Sequence, residues 1–338
     1  MKKVLVVSDA WHPQVNGVVR SLSELASAAP AQGTEISFIT PDMFRSVALP
    51  SYREIRLALA SRTGVRRAIE RAGADHVHIA TEGPLGLAAR SVCVAEDEPF
   101  TSSYHTRFPE YIFARARVPV WLTYAALRRF HQAAAGVMVA TGSLERELET
   151  RGFTRLMRWS RGVDHSLFTP RASVLSLPRP IFLYVGRLAV EKNIGAFLSL
   201  DLPGSKVVVG DGPDRSALQT AYPTAHFLGS RNGVDLAKIY ASADVFVFPS
   251  LTDTFGLVIL EALASGVPVA AYPVAGPVDV IGTSGAGVLD HDLRAAALQA
   301  LDIPRELARS HAQQFSWEGS ARQFLTNILS ARRETAPV

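Results

Sequence analysis

Short apolar runs recur along the chain, and polar loops followed by segments of helical spacing separate them. Such runs are typical of parallel strands buried on both faces of a sheet. In the first half they predict strands at residues 4–7, 36–39, 76–79, from 100 onward and at 136–140, with helices at 18–29 and 65–72. In the second half they predict strands at residues 181–185, 206–209, 225–228, 244–248, 267–271 and 287–289.

The alternation of strand, loop and helix is interrupted once, between residues 170 and 180, where the periodicity is lost and prolines accumulate. The pattern therefore predicts an α/β protein with two doubly wound, Rossmann-like domains facing a central cleft. We place the first domain at residues 1–168 and the second at 169–317. A helix at about 318–338 is expected to pack back on the first domain.

Composition narrows the class of protein. The 338 residues are 48% hydrophobic and 20% charged, as in a folded globular protein. No apolar run reaches the roughly 18 residues of a membrane span, and the N-terminus lacks the features of a signal peptide. Cys93 is the only cysteine, which excludes an intramolecular disulfide and a thiolate metal cluster. We expect a cytoplasmic protein.

Positive charge is concentrated in the first half. Residues 1–170 hold 21 Lys and Arg against 16 Asp and Glu, whereas the remaining residues hold 14 against 15. Arginines cluster in residues 53–71 and 107–129. Such a face could meet an anionic membrane, nucleic acid or only water, and water is the default interpretation.

The stretch 249–268 carries the strongest chemical signal. A loop follows the strand 244–248, and the next helix is expected at 256–264, so its first N–H groups are available to a phosphate. Asp253 in the loop and Glu261 in the helix would flank that phosphate and bind hydroxyls, which indicates a nucleotide sugar. Alternatively, Asp253 is an N-cap and Glu261 a solvated helix residue.

Two cations, Arg187 and Lys192, lie in the loop after the first strand of the second domain. Fixed cations stabilise the charge that grows on a departing diphosphate. A surface ion pair between Glu191 and Lys192 is the alternative. Gly-rich strand exits at 210–213 and 229–232 could border a base or ribose, or form ordinary turns.

Candidates in the first domain are less specific. The loop that ends at Asn16-Gly17 could approach a diphosphate, although it lacks the GxGxxG fingerprint and is also an ordinary turn. His105 follows a strand, where a catalytic or a structural role is possible. A metal site at His76 and His78 is disfavoured because no fourth ligand is near. The mixed aromatic and arginine segment 111–130 suits a lipid interface or, slightly better, a buried helix with a wet arginine face.

Taken together, seven motifs resemble one family at matching spacing over almost the whole chain. They are Asn16-Gly17-Val18-Val19, His105, Gly162-Val163-Asp164 with Phe168 and Pro170, Gly186-Arg187-Leu188 through Glu191-Lys192, Gly210-Asp211-Gly212-Pro213, Ala243-Asp244-Val245 into Pro249-Ser250, and Phe255-Gly256-Leu257 through Glu261-Ala262. The chain resembles the retaining glycosyltransferases of the two-Rossmann-domain (GT-B) type, the family of bacterial mannosyltransferases, sucrose synthase and glycosyl-diacylglycerol synthases.

The resemblance implies a role for each matching residue. Arg187 and Lys192 would hold the donor diphosphate, Glu261 the ribose, and Asp253 and His105 the sugar. The implied catalytic set is His105, Arg187, Lys192 and Asp253. The implied donor-binding set comprises Arg187, Lys192 and Asp253 together with Gly17, Gly186, Gly210, Asp211, Arg231, Thr254, Phe255, Gly256, Leu257, Val258 and Glu261. The implied acceptor side comprises Asp9, Trp11, His12, Asn16, Arg107 and Tyr111. Asp253 is the chief departure, since the family usually has Glu there, and it bears on the identity of the sugar.

The implied activity is metal-independent hexosyl transfer from a nucleotide sugar, with a UDP-sugar favoured, GDP-mannose as the alternative and no cofactor. The preferred mechanism is front-face attack, in which the leaving phosphate helps to deprotonate the acceptor. The glycolipid-like loops and the basic first domain favour a lipid acceptor such as diacylglycerol at the inner face of the cell membrane, and no nucleic acid. A soluble acceptor, a sugar-nucleotide epimerase and a non-catalytic nucleotide or polyanion binder are the other readings.

Overall fold

The computed structural model describes residues 2–14, 16–49, 52–107, 109 and 117–335. The chain forms two compact units. Unit 1 comprises Met1–Arg161 together with Trp317–Val338, and unit 2 comprises Gly162–Ser316. The division thus lies seven residues before the position that the loss of periodicity suggests. The reason is that residues just after Arg161 already pack in unit 2, where the ring of Phe168 meets Tyr240 at 5.7 Å.

Unit 1 is built on a parallel six-stranded sheet in the order β2-β1-β5-β6-β7-β8. These strands are β1 (Lys3–Val7), β2 (Glu35–Ile39), β5 (His76–Ile79), β6 (Phe100–Tyr104), β7 (Gly136–Val139) and β8 (Leu156–Arg158). β1, β5, β6 and β7 are almost wholly buried, as expected of strands covered on both faces. A separate antiparallel hairpin, β3 (Ser46–Leu49) and β4 (Tyr52–Ala58), was not predicted.

The helices of unit 1 begin where the polar loops end. They are α1 (Gly17–Ala28), α2 (Arg62–Ala72), α3 (Pro84–Ala95), α4 (Val120–His131), α5 (Gly142–Thr150) and α13 (Trp317–Thr335). Side chains at the N-cap fix several of these starts, since Ser61 accepts from Gly64 N and Thr141 accepts from Leu144 N.

The last helix, α13, completes the core of unit 1. Its Phe324 and Ile328 are fully buried in one apolar cluster with Val4, Val6 and Trp159. The Trp159 indole nitrogen donates a hydrogen bond to Ser320 Oγ at 3.0 Å. Residues from the two ends of the chain therefore share one hydrophobic core.

Unit 2 has a second parallel six-stranded sheet, in the order β11-β10-β9-β12-β13-β14. Its strands are β9 (Ile181–Val185), β10 (Ser205–Val209), β11 (His226–Gly229), β12 (Val245–Phe248), β13 (Val269–Ala271) and β14 (Gly287–Leu289). Its helices are α6 (Ile194–Leu198), α7 (Arg215–Ala221), α8 (Gly233–Ser242), α9 (Leu257–Ala264), α10 (Ala275–Val280), α11 (Leu293–Gln299) and α12 (Arg305–Ala312).

Strand order reverses at one point in each sheet, between β1 and β5 in unit 1 and between β9 and β12 in unit 2. Open α/β sheets bind ligands beyond the carboxyl ends of the strands at such a reversal. The prediction of two doubly wound α/β domains is confirmed, and the reversal points direct attention to the four loops that follow β1, β5, β9 and β12.

Candidate functional site

In unit 2 the reversal point brings together two loops that are about 60 residues apart in sequence. β9 and β12 are neighbouring parallel strands, with Phe182 opposite Val245. Their loops are joined by hydrogen bonds from Asn193 Nδ2 to the Pro249 carbonyl at 3.1 Å and from Thr252 Oγ1 to the Glu191 carbonyl at 3.3 Å. The predicted diphosphate loop and the predicted sugar loop thus form one surface.

At the centre of this surface, Lys192 Nζ lies 2.6 Å from Asp253 Oδ1. The two side chains are only 21% and 19% exposed. The second carboxylate oxygen, Asp253 Oδ2, is buried and has no hydrogen-bond partner among the described residues. A predicted diphosphate ligand and a predicted sugar ligand are therefore paired, and one oxygen of the pair can still accept a hydrogen bond from a ligand.

The structure excludes the alternatives that Asp253 is an N-cap and that Glu261 is a solvated helix residue. The N-cap of α9 is Gly256, and no side chain caps this helix, so Asp253 is not its cap. Gly256 has φ +87°, a left-handed conformation that favours glycine. Glu261 is 2% exposed, in a helix whose other residues are all apolar. A carboxylate is kept in such a place only by polar partners or a ligand.

The backbone of Arg187 is held by a hydrogen bond from Tyr184, a residue that the sequence did not indicate as functional. Tyr184 is 1% exposed and donates its hydroxyl to the Arg187 carbonyl at 2.9 Å. Burial, followed by the negative charges of Asp253 and Glu191, raises the pKa of Tyr184 well above its usual value. Tyr184 is thus a hydrogen-bond donor at neutral pH. It had no sequence signal, because it belongs to the apolar run that predicts β9.

The glycines after β9 and β10 have a packing role. A Cβ on Gly210 would lie 1.9 Å from the Gly186 carbonyl oxygen, and one on Gly212 would lie 2.3 Å from that of Leu188. Asp211 binds locally, to Gly212 N at 2.8 Å and to Arg215 at 3.1 Å. Gly210, Asp211 and Gly212 therefore shape the loop after β10. Arg231, which follows β11, is exposed and donates a hydrogen bond to the Ser230 carbonyl at 3.4 Å.

At the reversal point of unit 1, Asp9 binds backbone N–H groups at the start of α3. Its carboxylate accepts hydrogen bonds from Leu85 N at 2.8 Å, Gly86 N at 3.2 Å and Thr81 Oγ1 at 2.9 Å. Burial raises the pKa of Asp9 despite these bonds. Asp9 therefore orders the β5–α3 loop, and its part on the acceptor side stays a prediction.

The rest of the β1–α1 loop is also ordered by its own side chains. Asn16 is the N-cap of α1 and accepts from Val18 N and Val19 N at 3.0 Å each. Trp11 packs against Phe38 at 4.3 Å, whereas His12 is exposed and has Ser23 Oγ 3.4 Å from its Nε2. Gly17, the first residue of α1, is exposed. The cap explains why Asn precedes Gly here.

His105 follows β6, as predicted, and is half-buried in unit 1. Its Nδ1 lies 3.1 Å from Nη2 of Arg161, and its ring meets that of Trp159 edge-on at 5.7 Å. Arg107 is held by an ion pair with Glu147 at 2.6 Å. Tyr111, the last acceptor-side candidate, lies outside the described residues.

His76 and His78 belong to a buried polar network. Both approach Thr101 Oγ1, at 3.0 and 2.9 Å, and His78 Nε2 lies 2.9 Å from Ser103 Oγ. In the part of the chain that the structure describes, no group of three or more His, Cys, Asp or Glu could hold a metal ion. None of the described helices is long and apolar enough to cross a membrane.

Both units match family models. Residues 15–167 match the model described as Glycosyltransferase Family 4, and residues 179–303 match the one described as Glycosyl transferases group 1. A GDP-mannose-dependent alpha-mannosyltransferase of Mycobacterium tuberculosis is 34% identical, over 85% of this chain and 83% of the relative. The sulfoquinovosyl transferase SQD2 of Arabidopsis thaliana is 34% identical over 70% of this chain, which aligns with half of that relative's length.

The fold also has a match among solved structures. Sucrose-phosphate synthase from Thermosynechococcus elongatus superimposes with a TM-score of 0.78, 21% sequence identity and coverage of 99% of this chain and 100% of that one. At this identity the likeness supports the fold alone. The match of both units and the identity shared with the mannosyltransferase over most of both chains show that this chain belongs to the GT-B glycosyltransferases of family 4.

Proposed function

We propose that the enzyme transfers a hexosyl unit from a nucleoside-diphosphate sugar to a membrane lipid, with retention of anomeric configuration and without a metal ion. The observation that carries the proposal is the half-buried Lys192–Asp253 pair at the reversal point of unit 2. The pair supports the proposal because a cation suited to a diphosphate lies directly beside a carboxylate suited to sugar hydroxyls. A nucleotide sugar carries a diphosphate and a hydroxyl on neighbouring carbon atoms.

The diphosphate of the donor would bind to two side chains and a helix start in unit 2. Arg187 and Lys192 supply fixed positive charge from the loop after β9, and the start of α9 adds backbone N–H groups from Leu257 and Val258. Gly256, the N-cap residue of that helix, has φ +87°, a conformation that residues with a Cβ rarely adopt. Diphosphate binding would share the Lys192 ammonium between phosphate and Asp253.

The sugar and the ribose would each bind one carboxylate, Asp253 and Glu261 respectively. Asp253 Oδ2 accepts from a sugar hydroxyl, and the aspartate brings a shorter reach than the glutamate of the family pattern. Glu261 accepts from the ribose hydroxyls near the start of α9. A buried carboxylate gains most from a diol, which offers two donors to its two oxygens.

The reaction is written as front-face displacement. The bond between the anomeric carbon and the diphosphate oxygen breaks, and its electron pair leaves with the nucleotide. The acceptor hydroxyl oxygen bonds to the anomeric carbon on the same face, and its proton passes to the departing phosphate oxygen. Arg187 and Lys192 stabilise the charge on that phosphate as it grows, which is the largest catalytic contribution expected of fixed cations.

A lipid acceptor is supported by the surface of α4. Trp121 and Leu122 at its start are 71% and 49% exposed, whereas Tyr124, Leu127 and Phe130 are buried. The helix contains no acidic residue and ends with Arg128 and Arg129. Exposed Trp and Leu at the start of a helix whose last turn carries arginines are typical of a segment that enters the headgroup region of an anionic membrane.

Two donors are carried forward. A UDP-sugar is the first hypothesis. GDP-mannose is the second, because the relative aligned over 85% of this chain is described as GDP-mannose-dependent. Neither the Lys192–Asp253 pair nor Glu261 distinguishes the two, since diphosphate, ribose and hexose are common to both.

The test is nucleotide release by the purified enzyme from a panel of UDP- and GDP-sugars, with and without diacylglycerol in mixed micelles, before and after chelation. Arg187→Ala is the inactive reference. Lipid-dependent release that the substitution abolishes, with an α-linked product by NMR, supports the proposal and names the donor. Release that does not depend on lipid overturns the lipid acceptor, and the absence of release from every donor overturns the activity.

Membrane docking is tested separately by co-sedimentation with vesicles of anionic and of neutral lipid. We expect Trp121→Ser to weaken binding to anionic vesicles. Leu329→Ser, which alters a 44% exposed residue of α13, is the matched control and should have no effect. Equal binding by both variants would refute the role of α4.

A further inference from the structure

The feature that the proposed function leaves unexplained is the buried guanidinium of Arg161. The residue is 5% exposed. Its Nη1 donates to the carbonyls of Trp159 at 2.5 Å and Ser160 at 3.1 Å, and its guanidinium carbon lies 4.0 Å from the centre of the Trp159 ring. No ion pair joins it to a carboxylate among the residues that the structure describes. An arginine buried in this way costs stability, and the structure must compensate for that cost.

Arg161 makes one further contact, from Nη2 to His105 Nδ1 at 3.1 Å, and its direction is fixed by chemistry. A guanidinium can only donate hydrogen bonds. The imidazole nitrogen that faces it must therefore offer a lone pair, and in a neutral ring the proton then resides on the other nitrogen. We propose that Arg161 is a positioning residue that holds His105 as the neutral Nε2–H tautomer, so that His105 presents a hydrogen-bond donor and not a base.

The charged groups around His105 act in the same direction. Burial is the main reason that the pKa of His105 is held well below its usual value, and electrostatic interaction with Arg161, then with the His78 and His131 rings, lowers it further. These residues come from three elements, the loop after β8, β5 and the end of α4. His131 is in turn paired with a carboxylate, since its Nε2 lies 3.1 Å from Glu82 Oε1.

The position of Arg161 is in turn fixed by α13. Ser320 Oγ accepts from the Trp159 indole at 3.0 Å and donates to the Ser160 carbonyl at 2.8 Å. Ser320 therefore holds both residues whose carbonyls receive the Arg161 guanidinium. The chain of contacts runs from α13 through Trp159 and Arg161 to His105, within unit 1 throughout.

The consequence for catalysis rests on the proposed function. If His105 meets the transferred sugar, it donates Nε2–H to a sugar oxygen and takes no proton from the acceptor. The acceptor proton is then left to the departing phosphate, as front-face displacement requires. A histidine fixed in this tautomer also favours a nucleotide sugar with an oxygen atom placed to accept a hydrogen bond from Nε2–H.

The experiment is long-range 1H–15N correlation NMR on protein with labelled histidines, which distinguishes a protonated from an unprotonated ring nitrogen. The chain has nine histidines, and a His105→Gln sample identifies the signals of His105. We expect Nε2–H with unprotonated Nδ1 from pH 5 to pH 8. Nδ1–H, or a doubly protonated ring in this range, would overturn the proposal.

Arg161→Met supplies the perturbation. Its His105 should show both tautomers, and kcat/KM should fall about 10- to 100-fold, as when a group that orients a contact residue is lost. Arg161→Lys should restore part of the tautomer preference. An unchanged tautomer in Arg161→Met would overturn the role of Arg161, and if that variant fails to fold, the wild-type spectrum still decides the tautomer.

The control is Arg90→Met. Arg90 also donates to two carbonyls, those of Phe130 at 2.8 Å and Arg129 at 3.0 Å, and lies 5.9 Å from an aromatic ring centre. It should change stability but not the His105 spectrum. Since the spectrum needs no substrate, an Nε2–H ring in a protein that releases no nucleotide would refute the proposed function and leave the present inference standing.

Discussion

Replacing Lys192 with Met should remove two separate contributions, one to stability and one to catalysis. The ammonium pairs with Asp253 at 2.6 Å, with about a fifth of each side chain exposed. Breaking a fully buried pair by removing one partner costs roughly 3–5 kcal/mol, and breaking a surface pair costs about 1 kcal/mol or less. For a pair of intermediate burial we expect a loss of about 2 kcal/mol in the free energy of unfolding, chiefly because the Asp253 charge is left unpaired.

Calorimetry is the appropriate measurement of stability, because all four tryptophans belong to unit 1 and would not report on unit 2. At about 2–4 °C per kcal/mol for a domain of this size, Lys192→Met should lower the melting temperature of unit 2 by roughly 4–8 °C. kcat should fall about 100- to 1,000-fold, as when one group that stabilises transition-state charge is removed.

The double variant Lys192→Met with Asp253→Asn separates the two contributions. With both charges gone, stability should return to within about 1 kcal/mol of the wild type, whereas activity should stay low. Arg66→Met, which breaks the exposed pairs of Arg66 with Glu70 and Glu96, should leave both quantities nearly unchanged. Recovery of activity in the double variant would refute the reasoning, since Lys192 would then serve only to neutralise Asp253.

Three further outcomes are expected. Gly256→Ala should cost about 1–2 kcal/mol of stability by calorimetry, because φ is +87° and the new Cβ would lie 3.0 Å from Ile259 Cδ1; an unchanged melting temperature would refute this strain. Glu261→Gln should raise the donor KM about tenfold or more with little change in kcat, and a loss confined to kcat would contradict its role in binding. Burial lowers the pKa of His76 to about 3, so the folded state keeps this ring neutral while the unfolded chain protonates it below about pH 6.5. The free energy of unfolding of unit 1 should thus fall as the pH falls, by about 2 kcal/mol at pH 5 for His76 alone, and His76→Gln should remove that part when urea unfolding is followed by tryptophan fluorescence. The raised pKa of Asp9 has the opposite effect on stability, but Asp9 is present in both the wild type and His76→Gln. An identical pH dependence of unfolding in these two proteins would therefore refute the prediction.

The fold was largely accessible from the sequence because buried parallel strands leave short apolar runs. The strand predicted at 181–185 is found at those residues, and the helix predicted at 256–264 begins one residue later. The hairpin of β3 and β4 was missed because its apolar residues come in short groups that polar residues interrupt, such as Arg53, Glu54 and Arg56 in β4.

The candidate site was accessible only as separate residues. The sequence indicates Lys192 and Asp253 individually, but their pairing depends on the adjacency of β9 and β12, which the topology alone decides. Arg161 gave no signal as a functional residue, because its partner His105 is 56 positions away. Asp9 is a candidate for the acceptor side in the sequence, but its bonds to Leu85 and Gly86 have no signal there, because they connect two loops of one sheet edge.

The return of α13 to unit 1 has a consequence for biosynthesis. On the ribosome the strands of unit 1 are made before unit 2, and the roughly 155 residues of Gly162–Ser316 must be made before α13 emerges. At roughly 5–20 residues per second this takes about 8–30 s. During that time Val4 and Val6 lack Phe324 and Ile328, with which they form one buried cluster. The nascent first half is therefore a natural substrate for chaperones, and a truncation at Ser316 would leave it permanently in that state.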